Sequence, residues 1–416
     1  MTTTICQDAF LEITKYLFYN KDIIRFLSIN KAGHVSKERC EFCEMTDYRD
    51  ELEPLSYYNR LKTIYRYDEV TDECCYHIPH VYSVDFKLVN KDLRLLLPYT
   101  VNEINLDYRF NQPLDGVVFP SSLQKLKLGG WFDQPLIPGI FSSLNVIIFS
   151  HNFNQTLPIN IFPSSLQEIT FGALFNKPLL PGVFPSSLQK ITFGVSFSQH
   201  LIPGVFPNSL KELIFGHAFN TPLHPGVLPS FLQKIRFGDH FNHPLPPGVL
   251  PESLLEICFG RGFDQPLVYG GFPSSLQKVT FAYYFDQPLL PGILPTSLQK
   301  VTFGYKFNQP LLPGVLPGSL QEIKFWGNFN QSLVPGIFPS SLQKINFGHH
   351  FNQPLPPGVF PSSLQKIRFG SCFNQPLTPV IFPPSLKVIR LPIYSKDKYQ
   401  SIISFYKGKN VDVRFY

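Results

Sequence analysis

Leu364-Gln-Lys-Ile367-Arg-Phe369-Gly-Ser-Cys-Phe373-Asn-Gln-Pro-Leu377 is the stretch that decides how this chain folds. Leu364, Ile367, Phe369, Phe373 and Leu377 are apolar at fixed places in it. The Ile-x-Phe step has the period of a strand, so Ile367 and Phe369 point one way while Lys366 and Arg368 point the other. The remainder of the unit, Thr378 to Pro384 here and Pro356-Pro-Gly-Val-Phe-Pro361 in the preceding copy, is rich in Pro and Gly. Proline lacks a backbone donor and disfavours the interior of a helix or strand. This half is therefore extended or turning, on the outside of a coil.

The pattern returns along most of the chain. Phe recurs at positions 110, 132, 153, 175, 197, 219, 241, 263, 285, 307, 329, 351 and 373, in steps of 22 with a single step of 21. The short step comes from Gly139-Ile-Phe-Ser-Ser-Leu144, which lacks the Pro of Gly358-Val-Phe-Pro-Ser-Ser-Leu364. A one-residue deletion that leaves the frame intact marks a loop. The composition carries the same signal: 41 Phe and 40 Pro beside two Met and two Trp is what a short unit copied many times produces. One unit cannot bury its apolar face alone, but stacked copies with short parallel strands about 4.8 Å apart can. Thirteen near-identical copies between about Phe110 and Leu391 therefore predict one solenoid. The Phe column, and the Leu column from Leu114 through Leu245 to Leu377, are its expected core spines.

Asn follows the recurring Phe in nine of thirteen copies, with Asp133, Asp264, Asp286 and Ser198 in the others. A stacked polar side chain at a tight turn can bond the backbone of the adjacent coil, so this column is read as an internal ladder. Val101-Asn-Glu-Ile104-Asn-Leu106 matches the strand half of a unit one period before Leu123, and His80-Val-Tyr-Ser-Val84-Asp-Phe86 reads as an earlier, degenerate copy. At the other end Val411 and Val413 fall 22 residues after Ile389 and Leu391, with a short helix predicted over Lys396 to Tyr406. Together these form a capping coil of the kind that covers exposed solenoid core.

The repeats resemble leucine-rich repeats, with L-x-x-I-x-F in place of L-x-x-L-x-L. The Asn comes two positions late and is preceded by Phe. That variant, with Phe-Asn-x-Pro-Leu and Pro-Ser-Ser-Leu-Gln, resembles the FNIP repeat family. The resemblance implies a leucine-rich-repeat-like solenoid of short parallel strands with Pro-rich irregular outer segments.

Ahead of the repeats, Phe10, Ile13, Tyr16 and Leu17 lie at helical spacing on one apolar face. Asn20-Lys-Asp22 interrupts it, and Asp22 is placed to cap a second helix with Ile23, Phe26 and Leu27 on its buried side. Read from the residues, this is a small helical cap. In order and spacing it also resembles the F-box: a helix ending Glu12-Ile13-x-x-Tyr16-Leu17, then Lys21-Asp22-Ile23-Ile24-Arg25, then Ile29-Asn30-Lys31. Ile5-Cys6 stands where Leu-Pro usually opens the motif, and no Trp follows the third helix.

An F-box-like motif before FNIP repeats resembles the F-box and FNIP repeat proteins of giant amoebal viruses. By that resemblance Phe10, Leu11, Ile13, Leu17, Ile23, Phe26 and Leu27 would dock a Skp-type adaptor on a cullin ubiquitin ligase. The solenoid would then capture a protein target in the host-cell cytoplasm, with the nucleus also open. The implied organisation is an F-box-like helical domain over residues 1–50, a linker and N-terminal cap over 51–100, the solenoid over 101–391, and a C-terminal cap of helix plus strand over 392–416. The alternative is a protein-binding scaffold or decoy with no ligase coupling.

Other classes find little support. A formal net charge of +6 over 416 residues is mild, and no dense Lys/Arg run accompanies it, so nucleic acid is not the expected partner. The N-terminus lacks the basic start and apolar run of a secretory signal, and no apolar stretch reaches the roughly 18 residues of a membrane span. Seven cysteines, none fixed in the repeat, fit a reducing compartment. Ser-Ser-Leu-Gln recurs in nearly every copy, which marks a turn residue and not a nucleophile. No phosphate-binding Gly loop is present, and no cofactor is expected. Cys40-x-x-Cys43 followed by Cys74-x-x-His77 has a spacing that can hold tetrahedral zinc, against the alternative of ordinary thiols. The histidines of the repeats, His217, His240 and His243 among them, are read as exposed loop residues.

If the core columns are fixed, the variable outward columns carry specificity. The column between Ile and Phe, from Lys127 through Arg236 and Lys324 to Arg390, contains no acid. The column before it alternates through Glu168, Lys190, Glu212, Lys234 and Glu256, which reads as charge relief between coils. The two residues before each Phe vary most. In the later copies they include Tyr283, Tyr284, Tyr305, Lys306, His349 and His350, with Trp326 beside them. With Lys324 and Arg368 adjacent, these nine residues are the predicted target-binding patch, because aromatic and basic side chains dominate binding hot spots.

Overall fold

The apolar alternation of each repeat becomes a strand of three or four residues, one per coil. The structure, a computed structural model, describes residues 46–48, 64–67, 83–86 and 101–416. The proposed adaptor-binding residues Phe10 to Leu27 and the four possible zinc ligands Cys40, Cys43, Cys74 and His77 lie outside the described residues. The chain divides into two units, residues 1–188 and 189–416, and each is a parallel β-solenoid in its described part.

In the first unit the strands are β1 (Thr46–Tyr48), β2 (Ile64–Tyr67), β3 (Ser83–Phe86), β4 (Glu103–Leu106), β5 (Lys125–Lys127), β6 (Val146–Ile148) and β7 (Glu168–Thr170). Each pairs in parallel with the next. The degenerate copy expected at Val84 and Phe86 is β3, in register with Ile104 and Leu106. Two further strands precede it, one inside the stretch read as helical and one inside the stretch read as linker. They escaped the reading because Thr46 faces Ile64, Ile64 faces Val84 and Val84 faces Ile104, at steps of 18, 20 and 20 residues. Those steps break the 22-residue frame, and the Phe-Asn and Pro-Leu markers are missing as well.

In the second unit eleven strands run from β8 (Lys190–Thr192) to β18 (Asp412–Phe415). In their three-residue members the central side chain is buried and its neighbours are partly or fully exposed, as period-two alternation requires. The inward Ile or Val lies under a column of Phe, and both are almost wholly buried. Phe193 and Phe197 stack at 3.9 Å, Phe347 and Phe351 at 4.0 Å, and the rings of successive coils follow at about 6 Å, as in Phe351 on Phe373 at 6.0 Å. Each fully buried Phe contributes roughly 1.5–3 kcal/mol by removal from water.

Two turns close each coil. At Leu290-Pro-Gly-Ile293 the Ile293 amide bonds Leu290 O at 3.3 Å, with Gly292 at φ +84°. Pro at the second position and a positive-φ Gly at the third make this a type II turn, which explains the Pro-Gly pair in most copies. At Pro361-Ser-Ser-Leu364 a second turn carries Leu364 N to Pro361 O at 3.1 Å, and Ser363 Oγ donates to Leu342 O of the preceding coil at 2.7 Å. The recurring serine is thus a stacking residue. Gly follows the strand because the coils nearly touch there: a Cβ on Gly238 would lie 1.7 Å from Gly216 O.

The expected ladder is present. Asn308 Oδ1 accepts the Asn330 amide at 2.9 Å, Asn330 Oδ1 the Asn352 amide at 2.8 Å, and Asn352 Oδ1 the Asn374 amide at 2.8 Å. Asp264 and Asp286 replace Asn without loss, because only an acceptor oxygen is needed. The charge alternation also pairs as expected. Lys300 and Lys344 flank Glu322 at 2.8 and 2.9 Å, and Lys278 meets Glu256. Burial works against the Glu322 carboxylate, but bonds and charge from the two lysines outweigh it and hold its carboxyl below the usual range.

The last coil departs from its expected register. Ile389 faces Val413 and Leu391 faces Phe415, a step of 24 and not 22. The helix accounts for the two extra residues. It is α1 (Gln400–Tyr406), four residues later than predicted, entered through a 3-10 turn at Asp397–Tyr399. That turn puts Tyr399, 0% exposed, under Phe373 at 6.4 Å and Lys398 Nζ on Asn374 Oδ1 at 3.0 Å. Tyr399 Oη donates to Gln375 O at 3.1 Å. Among the described residues no helix is long and apolar enough to cross a membrane.

Two predictions concern stability. Asn242→Ala removes the acceptor of both the Asp264 amide and Gln265 Nε2, each at 3.0 Å. It should destabilise the protein by about 1 kcal/mol in thermal melting; an unchanged melting temperature would contradict the ladder. The second uses Tyr399, whose hydroxyl burial pushes up to about 12. An unfolded Tyr ionises near ~10, so the stability tied to this proton is complete below about pH 10 and is lost as pH rises through about 12. Tyr399→Phe, lacking one hydrogen bond, should melt below wild type at about pH 8, and the gap should narrow at about pH 11. A gap that stays constant with pH would contradict this assignment.

Candidate functional site

The nine residues proposed for target binding all belong to the second unit. Most do not lie on the face of the sheet. They occupy the turn that follows each strand, between the outgoing strand and the buried Phe, along one edge of the sheet. Main-chain bonds between coils hold this turn. The Tyr284 amide donates to Arg261 O at 3.0 Å, the Lys306 amide to Tyr283 O at 2.8 Å, and the Asn328 amide to Tyr305 O at 2.7 Å.

With the backbone pinned, side chains 22 residues apart stack. The rings of Tyr283 and Tyr305 are parallel at 5.1 Å, close to the spacing of the coils themselves. Tyr284 meets Tyr283 edge-on at 4.9 Å and is half exposed. Beyond Tyr305 the column continues to His350, whose Nε2 is 3.5 Å from Tyr305 Oη. His350 packs edge-on against His349 at 4.6 Å.

Trp326 stands where neighbouring copies have Gly304 and Gly348. A Cβ at Gly304 would sit 1.3 Å from Ala282 O, so an indole cannot take the glycine's place. Instead strand β14 (Glu322–Phe325) runs one residue longer than most, and Gly327 makes the close approach, against Tyr305 O and the Tyr305 ring. Trp326 is turned out and 56% exposed. Lys324 Nζ lies 3.8 Å from the centre of its ring, a cation–π contact. Burial, followed by the charge of Arg368, holds the Lys324 amine below the usual lysine range.

One predicted member is engaged elsewhere. The Arg368 guanidinium lies 4.1 Å over the ring of Tyr416, and Tyr416 Oη bonds Phe369 O, so the last coil occupies it. Sequence reasoning also missed a member. Arg261 lies 5.4 Å from the centre of the Tyr283 ring, in the same variable column one copy earlier. The signal was available, since Arg261, Tyr283 and Tyr305 are spaced by 22. Beside Tyr284, a recess of about 510 Å³ is lined by His217, Asp239, His240 and Arg261. Burial opposes the Asp239 charge, but the Arg261 amide and His217 outweigh it and lower its carboxyl, with His217 Nδ1 at 3.0 Å. The sheet face itself carries a shallow trough of about 590 Å³, bordered by the Gln column and the paired Lys and Glu side chains.

Among the described residues one group could hold a metal: His349, His350 and Cys372. The repeated serine hydroxyls are engaged by leucine carbonyls of the adjacent coil, as in Ser341 to Leu320 O at 2.7 Å, which suits stacking and not nucleophilic attack.

Comparison with known proteins agrees with this architecture. The FNIP Repeat family model matches residues 90–130, 132–173, 175–217, 219–262, 263–306, 307–350 and 351–392. No curated protein matches. Among solved structures the chain is similar to CroV588, described as a novel circular LRR protein. Identity is 29%, the TM-score is 0.64, and the match covers 80% of this chain and 60% of that one. It is also similar in fold to a chain of the Drosophila Toll–Spatzle complex, at 13% identity and a TM-score of 0.54, covering 85% of this chain and 54% of that one. The chain therefore spans less than two thirds of the length of either. Seven consecutive matches take in most of the sequence, and the chain belongs to the FNIP repeat family.

Proposed function

We propose that this chain is a protein-binding scaffold that captures a protein target on the aromatic, basic edge running from Arg261 to His350. The observation that carries the reading is the row of exposed or half-exposed rings of Tyr283, Tyr284, Tyr305 and Trp326, drawn from three successive coils and accompanied by Arg261 and Lys324. Rings fixed by stacking lose little conformational freedom on binding, which favours affinity. The cations favour an acidic segment in the target.

The finer reading is that the captured protein is a substrate for ubiquitination. Residues 1–50, with Phe10, Leu11, Ile13, Leu17, Ile23, Phe26 and Leu27 as contacts, would dock a Skp-type adaptor and through it a cullin, in the cytoplasm or nucleus of a host cell. This coupling rests on the F-box resemblance alone. Catalysis would belong to the partner proteins.

Two experiments separate the parts. Tyr305→Ala combined with Trp326→Ala should lower target capture at least ~10-fold in affinity purification, in line with the loss of two hot-spot aromatics, while the melting temperature stays within ~1–2 °C. Undiminished capture would remove the patch from consideration. Leu17→Asp with Leu27→Asp in the full chain should abolish co-purification of adaptor and cullin and leave target capture intact. If neither adaptor nor cullin is recovered even with the unaltered chain, the scaffold reading stands without the ligase.

A further inference from the structure

We propose that His349, His350 and Cys372 form a zinc site, an assignment that stands independently of target capture. The two histidines are consecutive in the turn after the strand Lys344–Asn346, and Cys372 occupies the same turn one coil later. Each turn is fixed by the main chain: the His350 amide donates to Gly327 O at 3.1 Å and the Cys372 amide to His349 O at 3.0 Å. The solenoid therefore sets the separation of the donors before any metal arrives.

Each residue offers one ligating atom, and the three atoms lie within 4.8 Å of one another. His350 Nδ1 is 3.9 Å from Cys372 Sγ. In a tetrahedral site with Zn–N near ~2.0 Å and Zn–S near ~2.3 Å, that pair would stand about 3.6 Å apart. Side-chain rotation alone closes the difference. Both imidazoles already have the outer partner that metal-bound histidines usually have. Tyr305 Oη lies 3.5 Å from His350 Nε2, and Ser371 Oγ meets His349 Nδ1.

Two imidazoles and one thiolate suit zinc better than the hard cations calcium or magnesium, which prefer oxygen. The Cys372 thiol releases its proton to solvent as the zinc–sulfur bond forms. Three protein ligands leave the fourth tetrahedral position open. All three side chains are exposed, so a water fills that position in the free protein.

The test is a metal titration of the full chain after chelator treatment, using Co²⁺ as a spectroscopic probe and Zn²⁺ as competitor. The wild type should bind one equivalent more than Cys372→Ser, and that equivalent should carry a thiolate-to-cobalt absorption that Zn²⁺ bleaches. Any metal held by Cys40, Cys43, Cys74 and His77 would appear equally in both proteins and cancel in the difference. His350→Ala should weaken the equivalent at least ~10-fold, and Tyr305→Phe, which keeps the ring and loses the outer partner, roughly 10-fold. Equal stoichiometry and equal spectra for wild type and Cys372→Ser would overturn the assignment. Because the substituted groups are exposed, matching melting curves of the metal-free proteins exclude misfolding as the cause of a loss.

Discussion

The backbone amide that follows each inward Phe is met by a side-chain oxygen from 22 residues earlier, and the rest of the repeat depends on that contact. It forces an acceptor at the position, which is why Asn gives way to Asp264 and Asp286 without disturbing the column. It also brings the coils so close that the residue after the strand is Gly at most copies, with no room for a Cβ at Gly238 or Gly370. Phe, Asn and Gly are thus committed to one geometry. The short variable stretch between strand and Phe is what remains to be chosen.

Much of this could be read from the residues. The strand was visible in Ile367 and Phe369, the ladder in the Asn column, and the ion pairs in the alternation around Glu256 and Glu322. What escaped has a physical cause in each case. Strands β1 and β2 escaped because the outer segment of a coil can shorten while the strands stay in register. The register of the final strand escaped because α1 lengthens that same outer segment. In a solenoid the outer arc is the tolerant part, so a search for a fixed period fails where the arc changes length.

The candidate site was legible in kind but not in detail. Variability before each Phe pointed to Tyr283, Tyr305 and His350, and the structure places their rings in one column. Residue type alone could not show that Arg368 is covered by Tyr416 or that Arg261 belongs with Tyr283, since both facts depend on stacking across copies. The turn position of Trp326 was informative for another reason. An indole in a glycine column forces the strand to run on and throws the ring outward, so a departure from the repeat displays a side chain that the regular unit would have no room to hold.

Lys398 and Tyr399 have a consequence beyond the coil they close. A translational repeat has no intrinsic end, because each coil presents to the next the same surface that it received from the one before. Asn374 offers the same acceptor, and Phe373 the same ring, that the preceding coils use to seat a successor. A cation on the first and a phenol under the second occupy those places with groups that cannot pass the pattern on. They act as a chain terminator in the polymer sense: without them, the open face at Phe373 would be a template for another molecule of the same protein, and stacking would continue between chains instead of within one.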